Sequence, residues 1–180
     1  MAEFDEFAQQ LLEESKRFCE KAKEESSKEG KLAYLHAAIN IGFCALEAHV
    51  NDIADDFLTR PELSALDKGI LAERDVRLVD GEYQLSNSLK MYRLDERIQF
   101  VHRRFSGRPL DRNASWWSDL KSGLDLRNKL THPKELPTIK EGDVERALRA
   151  VIDTLSALYD AVYGTGYPAA GRGLDSRLSF

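Results

Sequence analysis

One uninterrupted apolar row in the first third of the chain constrains the fold most strongly. Between residues 31 and 59, large apolar side chains recur at alternating steps of three and four positions: Leu32, Leu35, Ile39, Phe43, Leu46, Val50, Ile53 and Phe57. This spacing is typical of a helix that buries one side against a core. Small residues on its flank, among them Ala45 and Ala48, would allow another helix to approach closely. We therefore predict a long amphipathic helix packed within a helical protein.

A second, polar row follows the same predicted helix about 100° round its axis. Its members are His36, Asn40, Cys44, Glu47 and Asn51. This row borders the apolar row instead of opposing it, as expected of a helix that lines a cleft. The alternative is that these side chains are simply exposed to solvent, as most polar side chains are.

The stretch Arg127-Asn128-Lys129-Leu130-Thr131-His132-Pro133 contains the strongest candidates for chemistry. On a helix over residues 116–131, Arg127 falls on the apolar face, where a guanidinium is costly unless it is paired or opens onto a cleft. Glu47 is the natural counter-ion. Because a residue before proline avoids the helical region, the helix should end at His132, on an exit turn near Arg127. In the alternative interpretation, Arg127 is a structural ion-pair residue and His132 an ordinary turn residue.

The remaining segments complete a helical pattern interrupted by one hairpin. Apolar periodicity predicts helices over residues 3–25, 31–59, 63–71, 89–105, 116–131 and 141–163. Between the third and fourth, Asp80-Gly81 separates two short apolar segments, and this dipeptide favours the type I′ turn of a β-hairpin. We therefore predict an all-α domain with a helix and hairpin inserted over residues 59–112.

The charge distribution divides the chain into two unequal parts. The net charge of −5 argues against nonspecific binding to nucleic acid. Residues 90–134, however, contain eleven Lys and Arg against five Asp and Glu, a net of +6, whereas the rest carries −11. This basic segment includes the motif and four candidate RNA-binding residues: Arg103, Arg104, Lys129 and Lys134. Chance clustering on a solvated face is the alternative.

Other chemistries lack a sequence signature. The four histidines lie far apart, without metal-ligand spacing, and neither a phosphate-binding loop nor a nucleophile elbow is present. No apolar run approaches the roughly 20 residues of a membrane span, and the acidic N-terminus does not read as a signal peptide. Cys19 and Cys44 read as thiols of a reducing compartment. We therefore expect a cytoplasmic protein without metal or cofactor.

The stretch Arg127-Asn128-(Lys-Leu-Thr)-His132 resembles the signature of the HEPN superfamily, an Arg, often followed by Asn, with a His four to six residues on. Its position also fits, at the end of the penultimate helix. The resemblance covers roughly residues 30–60 and 113–163. It implies an HEPN-like bundle of four main helices in a single domain over residues 1–163. Residues 164–180 would then be a Gly-rich C-terminal tail, either flexible or packed on a partner.

The resemblance also implies a function. Catalytic HEPN proteins are metal-independent endoribonucleases that act as homodimers. Many are toxins or phage-defence components, often neutralised by a nucleotidyltransferase-like antitoxin. In this chain, Arg127 would stabilise the transition state and His132 would transfer protons. Asn128 would orient the His or a phosphate oxygen, and Glu47 would hold Arg127. Two alternatives remain open: a noncatalytic HEPN-like scaffold, or an unrelated all-α interaction protein that carries the motif by chance.

Overall fold

The computed structural model describes residues 2–180, with side chains described from residue 4 onward. Its elements, in chain order, are α1 (Ala2–Glu24), α2 (Lys28–Phe57), α3 (Ala65–Leu71), β1 (Arg74–Val79), β2 (Glu82–Leu89), α4 (Leu94–Ser106), α5 (Ser115–Thr131), α6 (Glu141–Tyr163) and a 3₁₀ turn (Ala170–Arg172). The protein is therefore mostly helical, with a two-stranded antiparallel hairpin between α3 and α4. Within the described part of the chain, no helix is both long and apolar enough to cross a bilayer.

The predicted hairpin is confirmed, but the helix that follows it begins later than predicted. Asp80 and Gly81 have φ angles of 51° and 86°, the two positive values that a type I′ turn requires. α4 begins at Leu94 and not at residue 89, because β2 continues to Leu89 and a short connection follows. Apolar spacing alone does not separate the end of a strand from the start of a helix.

Close helix packing places an aromatic ring beneath the motif helix. α2 and α6 lie at the centre, where Phe43, Leu46 and Leu148 are fully buried. A Cβ atom on Gly123 of α5 would lie 2.7 Å from Ala147 Cβ and 3.0 Å from Phe43 Cζ. The missing side chain thus lets α5 pack directly on α2 and α6, with the Phe43 ring below it.

Glu73 fastens the base of the hairpin to α4. Its backbone carbonyl accepts a hydrogen bond from Lys90 N at 2.8 Å, and its carboxylate accepts one from Tyr92 N at 3.2 Å. The same carboxylate lies 3.2 Å from Nη1 of buried Arg97, whose Nη2 donates to Leu71 O at 2.7 Å. The inserted segment is therefore anchored where it enters and where it leaves the hairpin.

The C-terminal segment 164–180 packs on α1 through a buried carboxylate. Glu13 accepts hydrogen bonds from Arg172 Nη2 at 2.7 Å and from the backbone N of Arg177 at 2.6 Å. The Ser176 hydroxyl donates to the Glu13 carbonyl oxygen at 2.8 Å. Burial raises the pKa of Glu13, but these donors more than offset it and hold the pKa below its ordinary value. The segment contacts its own chain instead of extending freely.

Candidate functional site

The motif helix α5 ends where the sequence predicts. Thr131 is its last residue, and His132 follows as the C-cap, with φ −128° and ψ 62°. The backbone N of His132 still donates to Asn128 O at 2.9 Å, while the Thr131 hydroxyl donates to Arg127 O at the same distance. His132 is exposed, so its ring is accessible to a ligand from solvent.

Arg127 lies between an aromatic ring and a carboxylate of α2. Its Nη2 donates to Glu47 Oε1 at 3.0 Å, which confirms the predicted ion pair. Its guanidinium carbon is 5.8 Å from the centroid of the Phe43 ring. The Arg127 side chain is 24 % exposed and that of Glu47 45 %, so solvent still reaches the pair. Arg127 Nε is buried and meets no acceptor among the described residues.

Arg127 opens onto a cleft of about 360 Å³, called here the Arg127 cleft. Its walls are formed by Glu47 of α2, by Tyr92 and Arg93 just before α4, by Asp95 of the first turn of α4, and by Lys121, Arg127 and Asn128 of α5. The polar row of α2 therefore does border a cleft at Glu47. Charges of both signs face this space. Its cations can bind an anionic group of a ligand, and its carboxylates can accept hydrogen bonds from polar groups of the same ligand.

His132 lines a second, more open cavity of about 620 Å³, together with Lys129, Lys134 and Glu135. Asn128 and Asp125 line both cavities, so they form the ridge between them. We expected the His132 ring to face the same cleft as Arg127. Within one chain, the two residues instead line neighbouring cavities on either side of Asn128. The reason is that the backbone N of His132 still donates to Asn128 O, so His132 starts from a helical position, about 140° round the axis from Arg127.

The four candidate RNA-binding residues occupy two different places. Lys129 and Lys134 line the His132 cavity, where Lys129 also pairs with Asp125 at 2.8 Å. Arg103 and Arg104 belong to the last turn of α4, about 14 Å along the axis from the end that lines the Arg127 cleft. Neither of them is among the described residues that line the two cavities.

Arg104 has a structural partner at its distant position. Its Nη2 donates to Glu62 O at 3.1 Å, and its Nε lies 3.5 Å from an Asp67 carboxylate oxygen. These contacts tie α4 to the segment around α3. Of the four candidate residues, Arg103 and Arg104 therefore lie apart from Lys129 and Lys134.

Sequence reasoning missed an ion-pair group in the Arg127 cleft. Asp95 is buried, forms an ion pair with Lys121, and lies 3.3 Å from Arg93 Nε. Burial raises the pKa of Asp95, but the hydrogen bond from Lys121 and the nearby Arg93 outweigh it and hold the pKa below its ordinary value. The sequence contains one indication of Lys121. It lies three positions before Leu124 and seven before Asn128, so the three side chains are on the same side of α5, the side that carries the motif residue Asn128. Nothing in the local pattern marks Tyr92 or Asp95.

No cluster of three or more His, Cys, Asp or Glu side chains within the described residues could hold a metal ion. The donors on the two cavities are instead guanidinium, ammonium, amide and imidazole groups. Such groups are suited to binding anions and to transferring protons.

The chain matches no protein-family model, no curated protein and no solved structure. A functional hypothesis therefore depends on the motif and on the residues of the two cavities.

Proposed function

We propose that this protein is a metal-independent endoribonuclease of the HEPN type that acts through Arg127 and His132. The observation that carries the proposal is the fixed position of Arg127, which Glu47 holds over Phe43 at the mouth of a cleft. A guanidinium already in place stabilises negative charge on phosphate oxygens without reorganising during the reaction. The motif that resembles the HEPN signature supplies the histidine nearby.

The reaction is the attack of an RNA 2′-oxygen on the adjacent phosphorus. The O2′–P bond forms and the P–O5′ bond breaks, which leaves a 2′,3′-cyclic phosphate and a 5′-hydroxyl. One proton leaves the 2′-hydroxyl and one joins the departing O5′. An imidazole can accept and donate protons near neutral pH, and His132 is exposed on the exit turn for this role. Asn128, on the ridge between the cavities, orients the imidazole or a phosphate oxygen.

The proposed active form is a homodimer with an HEPN-like bundle in each copy. One chain lines separate cavities with Arg127 and His132. Two motif helices facing each other would therefore present two such pairs to one substrate, and the two His132 side chains would serve as acceptor and donor. Lys129 and Lys134 would contact neighbouring phosphates. The same resemblance extends the proposal to a role in a toxin or phage-defence system, in which a nucleotidyltransferase-like antitoxin would be the partner.

A noncatalytic scaffold is the second candidate, and one observation favours it. The hairpin exposes large apolar side chains, including Leu78, Tyr83 and Leu89. Several large apolar side chains exposed on one hairpin are typical of a surface that contacts another protein. In this case Arg127 and Glu47 would only fasten α5 to α2.

RNA cleavage in excess EDTA separates the two candidates. The proposal expects the parent protein to cleave single-stranded RNA under these conditions and to leave 2′,3′-cyclic phosphate ends. It also expects sedimentation as a dimer at micromolar concentration. A parent without cleavage on any RNA tested, or a His132→Ala variant as active as the parent, would favour the scaffold.

A further inference from the structure

The Arg127 cleft continues past the motif into residues that the inserted segment supplies. Tyr92 and Arg93 lie in the connection between β2 and α4, and both line the cleft. Glu73 fixes this connection, because its carboxylate accepts a hydrogen bond from Tyr92 N at 3.2 Å. The wall that faces α5 is therefore held in place and does not depend on a ligand for its position.

This wall combines an aromatic ring with cationic groups. Tyr92 is half-buried, and the Lys90 ammonium lies 5.5 Å from the centroid of its ring. The Arg93 side chain is 70 % exposed and meets Asp95 through its Nε. A guanidinium this exposed can turn its terminal nitrogens toward a phosphate and bind it as a fork. Lys121, on the opposite wall, is paired with the same Asp95.

Asp95 sets the positions of both cations. It is buried between them, and its low pKa keeps it charged near neutral pH. Arg93 and Lys121 are thus preorganised on the two sides of one cleft. Preorganised donors lose less freedom on binding than freely rotating surface side chains. A volume of about 360 Å³ lies within the range of roughly 300–1,000 Å³ that is typical of small-molecule sites.

We infer that the cleft wall of Tyr92, Arg93 and Lys121 binds the nucleotide next to the scissile phosphate of a single-stranded RNA. Tyr92 packs against the base, while Arg93 and Lys121 contact the phosphate on the far side of that nucleotide. The inference rests on the proposed ribonuclease function, because it takes Arg127 as the position of the scissile phosphate. It assigns to the inserted segment the selection of single-stranded substrate, since a paired base could not pack against the ring.

Binding of an RNA that cannot be cleaved tests the inference directly. The probe is a short fluorescent single-stranded 2′-O-methyl RNA, and its anisotropy is measured with the full chain over a range of salt. Tyr92→Leu keeps an apolar side chain but removes the ring, and it should weaken binding about tenfold (about 1.4 kcal/mol) through the loss of base stacking. Arg93→Ala should reduce the slope of log affinity against log salt by about 0.7, the loss of one phosphate contact on a single strand.

Matched variants on the hairpin provide the controls. Tyr83→Leu removes an exposed ring remote from the cleft, and Arg77→Ala removes an exposed arginine that likewise lies beside one carboxylate, Asp75. Both should leave affinity and salt slope unchanged. The inference is overturned if the controls weaken binding as much as the cleft variants do, or if the parent does not bind the probe.

Two further outcomes separate this inference from the proposed function. In the first, the parent cleaves RNA, and the cleft variants have the same KM and the same affinity for the probe as the parent. The assignment of the subsite is then wrong, and the proposed ribonuclease function stands. If the parent binds the probe through Tyr92 and Arg93 but cleaves no RNA, the subsite stands and the catalytic proposal fails.

Discussion

Glu47 Oε1 accepts a hydrogen bond from Arg127 Nη2 at 3.0 Å, and this contact joins the centre of α2 to the last turns of α5. The two residues are 80 positions apart in the chain. The same guanidinium lies over Phe43, one helical turn before Glu47. Arg127 is therefore oriented by a carboxylate and an aromatic ring on one face of α2, at the edge of the core and in contact with solvent.

Because the Glu47–Arg127 pair is partly exposed, removing it should lower the free energy of unfolding only modestly. Glu47→Ala should lower the free energy of unfolding by about 1 kcal/mol, since the pair is partly solvated. A fully buried pair would cost about 3–5 kcal/mol. Under the proposed function, RNA cleavage should fall more sharply, because Arg127 would lose its orientation. Urea denaturation and cleavage rates measure the two effects. Glu24→Ala, which breaks exposed pairs on α1, should leave the rate unchanged.

His132 and Arg127 should respond differently to truncation. His132→Ala should change the free energy of unfolding by less than about 1 kcal/mol, because the residue is an exposed C-cap. Under the proposed function, its cleavage rate should fall roughly 100- to 10,000-fold through loss of the proposed proton-transfer group. Arg127→Ala should lose both activity and stability, since Phe43 would be uncovered.

The control for the histidine is His36→Ala, which removes a partly exposed imidazole of α2 that belongs to neither cavity. Its cleavage rate should equal that of the parent. Equal losses in His36→Ala and His132→Ala would remove the case for His132 as the proton-transfer group.

Gly123 should tolerate no side chain. In Gly123→Ala, the new Cβ would lie 2.7 Å from Ala147 Cβ and 3.0 Å from Phe43 Cζ. The strain should lower the free energy of unfolding by about 1–3 kcal/mol and displace the ring beneath Arg127. Gly142→Ala in the first turn of α6 is the matched control, because Arg146 Nη1 is its nearest neighbour at 3.7 Å. It should be neutral or stabilising by up to about 1 kcal/mol. Equal melting curves for the two variants would contradict the close packing.

The raised pKa of Asp52 should make the free energy of unfolding fall as pH rises. Burial, together with Asp5, Asp55 and Asp56, raises its pKa from 3.8 to about 6. Between these two values the folded state binds more protons than the unfolded state, so its stability declines with increasing pH. Asp52→Asn removes this group and should be more stable than the parent above pH 6, with the difference shrinking toward pH 4. Thermal unfolding at several pH values checks this, and parallel curves for parent and variant would refute it.

The sequence by itself determined the helices, the hairpin and the end of the motif helix. Apolar periodicity records which side of a segment is buried, Asp80-Gly81 favours one turn type, and Pro133 disfavours a helical His132. Glu47 could be chosen as the partner of Arg127 because both lie on faces that border the core. The helix faces, the turn and the helix end each depend on residues close together in the chain. The Glu47–Arg127 pair, 80 positions apart, could be predicted only by matching two such faces.

Only the tertiary structure decided how these elements meet. The approach of α5 to Phe43, the wall formed by Tyr92 and Arg93, and the attachment of residues 164–180 to Glu13 join segments that are distant in sequence. The same holds for the placement of Arg127 and His132 in neighbouring cavities. Periodicity specifies which face of an element is buried, but not the register or distance at which two faces pack. Those depend on the shapes of side chains from several elements fitting together at once.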